Sequence, residues 1–161
     1  MSRYKTIQQT ENEIVESFSL FDNWDDKYEY IIDLGKQLPA LEEKYKKDEN
    51  KVRGCQSTVW LVADYREGRV YFNADSDAVI VKGLISMLIS VLSGHTPQEI
   101  MDASLDFIQK IGMTTHLAQT RSNGLRAMVK QMKHYALAFQ ARQNNSNITD
   151  HGHRSLETKG N

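Results

Sequence analysis

Apolar residues recur at helical spacing through the first forty positions. Thr10 followed three residues later by Glu13 has the form of a capping box and predicts a helix through Ile14, Val15, Phe18 and Phe21. A second helix is predicted after a cap at Asp22 or Asn23, with Trp24, Tyr28, Ile31 and Leu34 near one face and Pro39 past its end. The charged run "EEKYKKDENK" has no steady apolar stripe and reads as a solvated connection. The period then changes to two. In "STVWLVADY", Val59, Leu61 and Ala63 alternate with Trp60 and Val62, and "VYFNAD" follows after "REGR", which predicts an antiparallel hairpin with a glycine in its turn.

The helical period returns at residue 78. Ala78–Leu92 is apolar almost all round, as expected for a helix buried in the core, with Asp75, Ser76 and Asp77 as candidate caps and Gly94 as its stop. Thr96, Pro97 and Glu99 open another helix, Ser104 starts a short one to Ile111, and "QTRSNG" leads into a final amphipathic helix carrying Leu125, Met128, Val129, Met132, Tyr135 and Phe139. Helices, then a strand pair, then helices again predict an α+β fold: a small antiparallel sheet flanked by α-helices. One domain is expected over residues 1–141, with 142–161, poor in large apolar residues, as a disordered tail.

Charge adds mainly exclusions. Lys and Arg number 20 against 21 Asp and Glu, a formal net charge of -1, so bulk electrostatics do not favour nucleic acid. The start of the chain lacks the apolar stretch of a secretory signal, and no apolar run reaches membrane-spanning length. A single cysteine cannot form an internal disulfide, which fits a reducing, cytoplasmic setting.

That cysteine, Cys55, is the main candidate for chemistry. Gly54 permits a tight turn before it, Gln56 and Ser57 are polar, and the strand pattern begins only beyond them, so the sulfur falls at a loop-to-strand junction. Arg53, two positions away, would favour the thiolate. Among the histidines, His95 sits at a helix end, His134 near the polar side of the last helix, and His151 and His153 in the tail, where "HGH" lacks the ligands a metal site needs. His116 lies in an expected loop. Asp75 and Asp77 read first as caps, and Arg121 as part of a helix start.

Five blocks taken together, "WDDKYEYIIDLGKQLP", "VRGCQSTVWLV", "DSDAVIVKGLI", "TPQEI" and "THLAQTRSNGLRAM", resemble the SufE family of cysteine desulfuration proteins. The match runs from about Asn23 to Met132, and the G-C-Q-S-x-V-W element is its most specific part. The resemblance implies a fold shared with the U-type iron–sulfur scaffolds and a role as sulfur acceptor. Cys55 would take persulfide sulfur from a pyridoxal-phosphate cysteine desulfurase (SufS-like), stimulate that enzyme, and pass the sulfur to an iron–sulfur scaffold complex (SufBCD-like). It further implies that Gly54, Gln56 and Ser57 present the thiol, and that Asp77, His116 and Arg121 lie on the docking surface. The free cysteine would face a sheltered apolar pocket, with Val59 and Trp60 as neighbours. No cofactor is implied for this chain, since the pyridoxal phosphate belongs to the desulfurase. No metal, nucleic acid or membrane is expected, and a homodimer is left open.

Other readings compete. A paralogous (CsdE-like) type serves a different desulfurase, although "GCQS" favours the SufE side. A docking activator would need no sulfur transfer. An iron–sulfur scaffold would need about three thiolates, and a cysteine hydrolase would need a base and an oxyanion site that cannot be assigned.

Overall fold

A computed structural model describes residues 5–117 and 119–158, except the side chains of residues 119–121 and 146–158. The first helix, α1, spans Ile7–Ser19 and starts one turn earlier than the Thr10 pattern predicts. Its capping box is Thr6 with Gln9: Thr6 Oγ1 accepts from Gln9 N at 3.0 Å, and Gln9 Oε1 accepts from Thr6 N at 2.9 Å. The T-x-x-Q spelling satisfies the same two orphan amides as T-x-x-E, and Thr10 falls inside the helix. Helix α2, Trp24–Lys36, is capped by Asn23, one of the two expected residues.

Strands β1 (Val59–Arg66) and β2 (Arg69–Ser76) form the antiparallel hairpin, in register from Val59 opposite Ser76 to Arg66 opposite Arg69. Glu67 and Gly68 between them have φ of 52° and 79°. Two left-handed residues match the twist of the flanking strands, which makes this a tight two-residue turn. Val59, Leu61, Val70, Phe72 and Ala74 are buried on the inner face. The expected solvated connection contains two short 3-10 turns, Glu43–Tyr45 and Asp48–Asn50, and its Lys51 forms an isolated bridge with Trp60 on the edge of β1. On the other edge, Val70 bridges to His95.

Helix α3 (Val79–Leu92) is the expected core helix: Leu84, Ile85, Met87, Leu88, Val91 and Leu92 are all buried. It crosses α2 at very close range. A Cβ on Gly83 would collide with the Ile31 carbonyl oxygen, and one on Gly35 would lie 2.8 Å from Gly83 N. The expected caps of α3 do other work. Asp75 is buried and ion-paired with Lys46 and Lys82, each at 3.4 Å, while Asp77 bonds the backbone of Thr58. Ser76 alone of the three reaches the start of α3, its Oγ accepting from Ala78 N at 3.2 Å.

Helix α4 (Pro97–Asp102) begins as read, with Thr96 accepting from Glu99 N. The short helix expected from Ser104 is α5, Phe107–Lys110, only one turn long. A further turn, α6 (Met113–His116), lies where a loop is expected. The last helix, α7, runs Gln119–Thr158, so "QTRSNG" belongs to its first turns, and the expected domain limit after residue 141 falls within it. The α+β architecture stands as read from the pattern.

Candidate functional site

Cys55 sits on a five-residue loop, Arg53 to Ser57, closed at both ends by backbone bonds. At one end Val52 N donates to Val59 O at 2.9 Å. At the other, Thr58 is held three ways. Its N–H donates to Asp77 Oδ1 at 3.1 Å, and its carbonyl accepts from Asp77 N at 3.3 Å and from Ser76 Oγ at 2.8 Å. Between these anchors Gly54 turns the chain at φ 95°, a conformation that an L side chain strains to adopt. Sequence separation thus keeps the thiol close to, but outside, the hairpin ladder.

The thiol is half-buried and points into the fold. Its Sγ lies 3.5 Å from the carbonyl oxygen of Gly124 on α7, a weak S–H···O contact. Beside it opens a cavity of about 310 Å³, lined by apolar side chains that include Val59, Val81, Leu84, Leu88 and Met128 and by the polar Gln56 and Ser57. Burial pushes the Cys55 pKa above its ordinary value, and no neighbouring charge among the described residues offsets that. Arg53 is exposed and does not act on the thiol here. Burial therefore favours the neutral thiol over the thiolate at this position.

The loop meets α7 through small residues. A Cβ on Gly54 would lie 3.2 Å from Ala127 Cβ, and one on Gly124 would lie 3.5 Å from Cys55 Sγ. Gly124 is the site residue that sequence reasoning missed. A glycine inside an otherwise amphipathic helix is the available signal, since it costs helix stability unless something packs against it. Val59 lines the cavity as expected, whereas Trp60 points to the opposite face of the hairpin, under Lys46.

The remaining candidates separate. Asp77 is exposed at the base of the Cys55 loop. The Arg121 side chain lies outside the described residues. His116 is exposed and stacked on Trp24, with centroids 4.0 Å apart, and its carbonyl accepts from Tyr28 Oη at 2.7 Å. These contacts tie it to α2 and not to Cys55. His95 is buried, with Nδ1 2.9 Å from Glu99 Oε2, a structural pairing at the α3–α4 corner. No three potential metal ligands cluster among the described residues, and no helix there is long and apolar enough to cross a membrane.

The fold is thus an α+β domain whose one thiol lines a largely apolar cavity between the Cys55 loop, α3 and α7. The chain belongs to the SufE family: residues 12–136 match the family model described as "Fe-S metabolism associated domain". Its role therefore lies in iron–sulfur metabolism, and proteins of this family work as sulfur acceptors without a cofactor of their own. Among curated proteins, the chain is 42% identical over 128 residues to an uncharacterised SufE-like protein of Rhizobium meliloti, covering 76% of this chain and 91% of that one. It is 43% identical over 131 residues to one of Rhizobium etli (78% and 88% covered). A third, from Synechocystis, is 41% identical over 127 residues (79% and 80%). The fold is similar to the solution structure of a hypothetical protein from Thermus thermophilus, with a TM-score of 0.67 over 80% of this chain and 94% of that one at 18% identity.

Proposed function

We propose that this protein accepts sulfur on Cys55 from the persulfide of a pyridoxal-phosphate cysteine desulfurase and carries it to an iron–sulfur scaffold complex. The observation that carries this reading is the placement of the sole cysteine: on a glycine-turned loop, anchored at both ends, with its sulfur beside a largely apolar cavity. The transfer is thiol exchange. The Cys55 thiolate attacks the terminal sulfur of the donor persulfide, a new S–S bond forms at Cys55, and the donor's S–S bond breaks to release its thiolate. No electrons enter or leave the pair. A sheltered resting thiol suits the task because it resists oxidation between loadings.

Asp77 supports this reading by holding the base of the loop, and Gln56 and Ser57 by lining the cavity next to Cys55. Arg121 and His116 are assigned to docking through the family resemblance. The reducing cytoplasm is the fitting location, because one free thiol persists there.

The test is intact mass after incubation with a cysteine desulfurase and cysteine. One added sulfur, about 32 Da, is expected on wild-type protein and none on Cys55→Ser. Unmodified wild-type protein sinks the proposal. A Cys55→Ser variant that still stimulates the desulfurase fully assigns the protein to docking alone.

A further inference from the structure

A second concavity lies beside the Cys55 cavity, along α7. A groove of about 580 Å³ runs between α7 and the segment 104–114. Ile108, Leu125 and Val129 line it as half-buried apolar side chains. Arg126 and Lys130 stand exposed on its α7 wall, one turn apart, and form no ion pair among the described residues. Lys133 closes the end, its Nζ donating to the carbonyls of Ala103 at 2.5 Å and Met101 at 3.3 Å. Asp106 is the one acidic residue in the lining. In a chain of net charge -1, three cations against one carboxylate make this a local positive strip over an apolar floor.

Leu125 lines both the groove and the Cys55 cavity, so the two are neighbours with that side chain between them. A protein that docks over the Cys55 loop extends naturally into the groove. From Ser122 to Lys133 the α7 wall is about 17 Å long, three turns of helix.

We propose that this groove seats an acidic, amphipathic segment of the desulfurase, its apolar face against Leu125 and Val129 and its carboxylates against Arg126 and Lys130. The proposal rests on the reading that Cys55 receives its sulfur from such an enzyme. Apolar contact with the floor holds the segment, and the exposed cations steer its approach and fix its register. Exposed cations such as Arg126 and Lys130 act mainly on the association rate and lose their effect as salt rises.

Binding of the Cys55→Ser protein to the desulfurase, followed by surface plasmon resonance, separates docking from sulfur chemistry. In that background R126E/K130E is expected to slow association about tenfold at low salt, with the gap closing at high salt. R126Q/K130Q should fall between. R66E is the control, because Arg66 lies at the hairpin tip, about 23 Å along β1 from Val59. It should bind as the parent does. Circular dichroism establishes that each variant is folded, and the Gln pair serves if the Glu pair is not.

An association rate for the charge-reversed protein equal to the parent's overturns the groove assignment. So does an equal loss in R66E, or no binding of the Cys55→Ser protein at all. Failure of wild type to gain sulfur while R126E/K130E still weakens binding overturns the Cys55 reading and leaves the groove standing.

Discussion

Asp77 and Thr58, nineteen positions apart, hold each other at two points: Thr58 N donates to Asp77 Oδ1 at 3.1 Å, and Asp77 N donates to Thr58 O at 3.3 Å. This pair closes the base of the loop that carries Cys55, so loss of the Asp77 carboxylate is expected to loosen that loop. Asp77→Ala leaves the Thr58 amide without its acceptor and should destabilise the protein by about 0.5–1.5 kcal/mol. Iodoacetamide should then alkylate Cys55 faster than in wild type at the same pH. Asp77→Asn keeps an acceptor oxygen and should stay near wild type. Equal alkylation rates in all three would remove Asp77 from control of the loop.

Burial raises the Cys55 pKa, and the sign of its effect follows. The folded protein keeps the thiol proton at pH values where the unfolded chain releases it. The stability this supplies is full below the unfolded thiol pKa and is lost as pH rises through the folded one. Alkylation rate plotted against pH should have its midpoint above that of the same protein in denaturant. A midpoint at or below the denatured value contradicts the sheltered thiol.

Asp75 and Glu11 should act in opposite directions. Burial alone would raise the Asp75 pKa, but the Ser76 N–H and the ammonium groups of Lys82 and Lys46 outweigh it and hold the carboxyl below its ordinary value. Its contribution is present above the unfolded carboxyl pKa and lost as pH falls through the folded one. Burial raises the Glu11 pKa despite a bond from Phe107 N–H, so its contribution is present below the ordinary carboxyl value and lost as pH rises through the raised one. Urea midpoints across the acid range should show Asp75→Asn flattening the loss toward low pH. Glu11→Gln should instead gain relative stability as pH rises from the ordinary carboxyl range toward neutrality.

Three glycines to be replaced by alanine should rank by geometry. At Gly83 a Cβ collides with the Ile31 carbonyl, so the α2–α3 crossing must open at a cost on the order of 3 kcal/mol or more. At Gly54 the φ of 95° costs about 1–2 kcal/mol, and the new methyl crowds Ala127. At Gly124 the methyl meets Cys55 Sγ at an ordinary 3.5 Å inside a helix, so Gly124→Ala should stabilise by about 0.5–1 kcal/mol. Thermal melts give the order, and a Gly124→Ala protein less stable than wild type would show that the site needs that space empty.

Local pattern was enough for the elements. The helical stripe of α2, the period-two run of β1 and the all-round apolar character of α3 each arise within a few residues, where side-chain direction follows the backbone repeat. The same holds for Cys55, whose glycine and polar neighbours mark a loop-to-strand junction before any fold is known. The errors were of two kinds. At Thr6 and at the start of α7, several local spellings of a helix end competed and the structure chose another. At Asp75, read first as a cap, the carboxylate met two distant partners instead, Lys46 and Lys82.

The residues around Cys55 do not say whether the resting thiol faces water or a pocket; the family resemblance implied a pocket, and the tertiary structure supplies one. The thiol's acceptor, the Gly124 carbonyl, lies 69 positions away, and the cavity walls come from the loop, β1, α3 and α7. Such contacts depend on how closely two elements approach, which small residues such as Gly124 and Ala127 permit but do not spell. The sequence by itself determined that a single thiol stands on a loop just before a strand. Packing of α7 against that loop decided that it rests inward, favoured as the neutral thiol and beside a cavity, because only the assembled fold sets the dielectric around a sulfur atom.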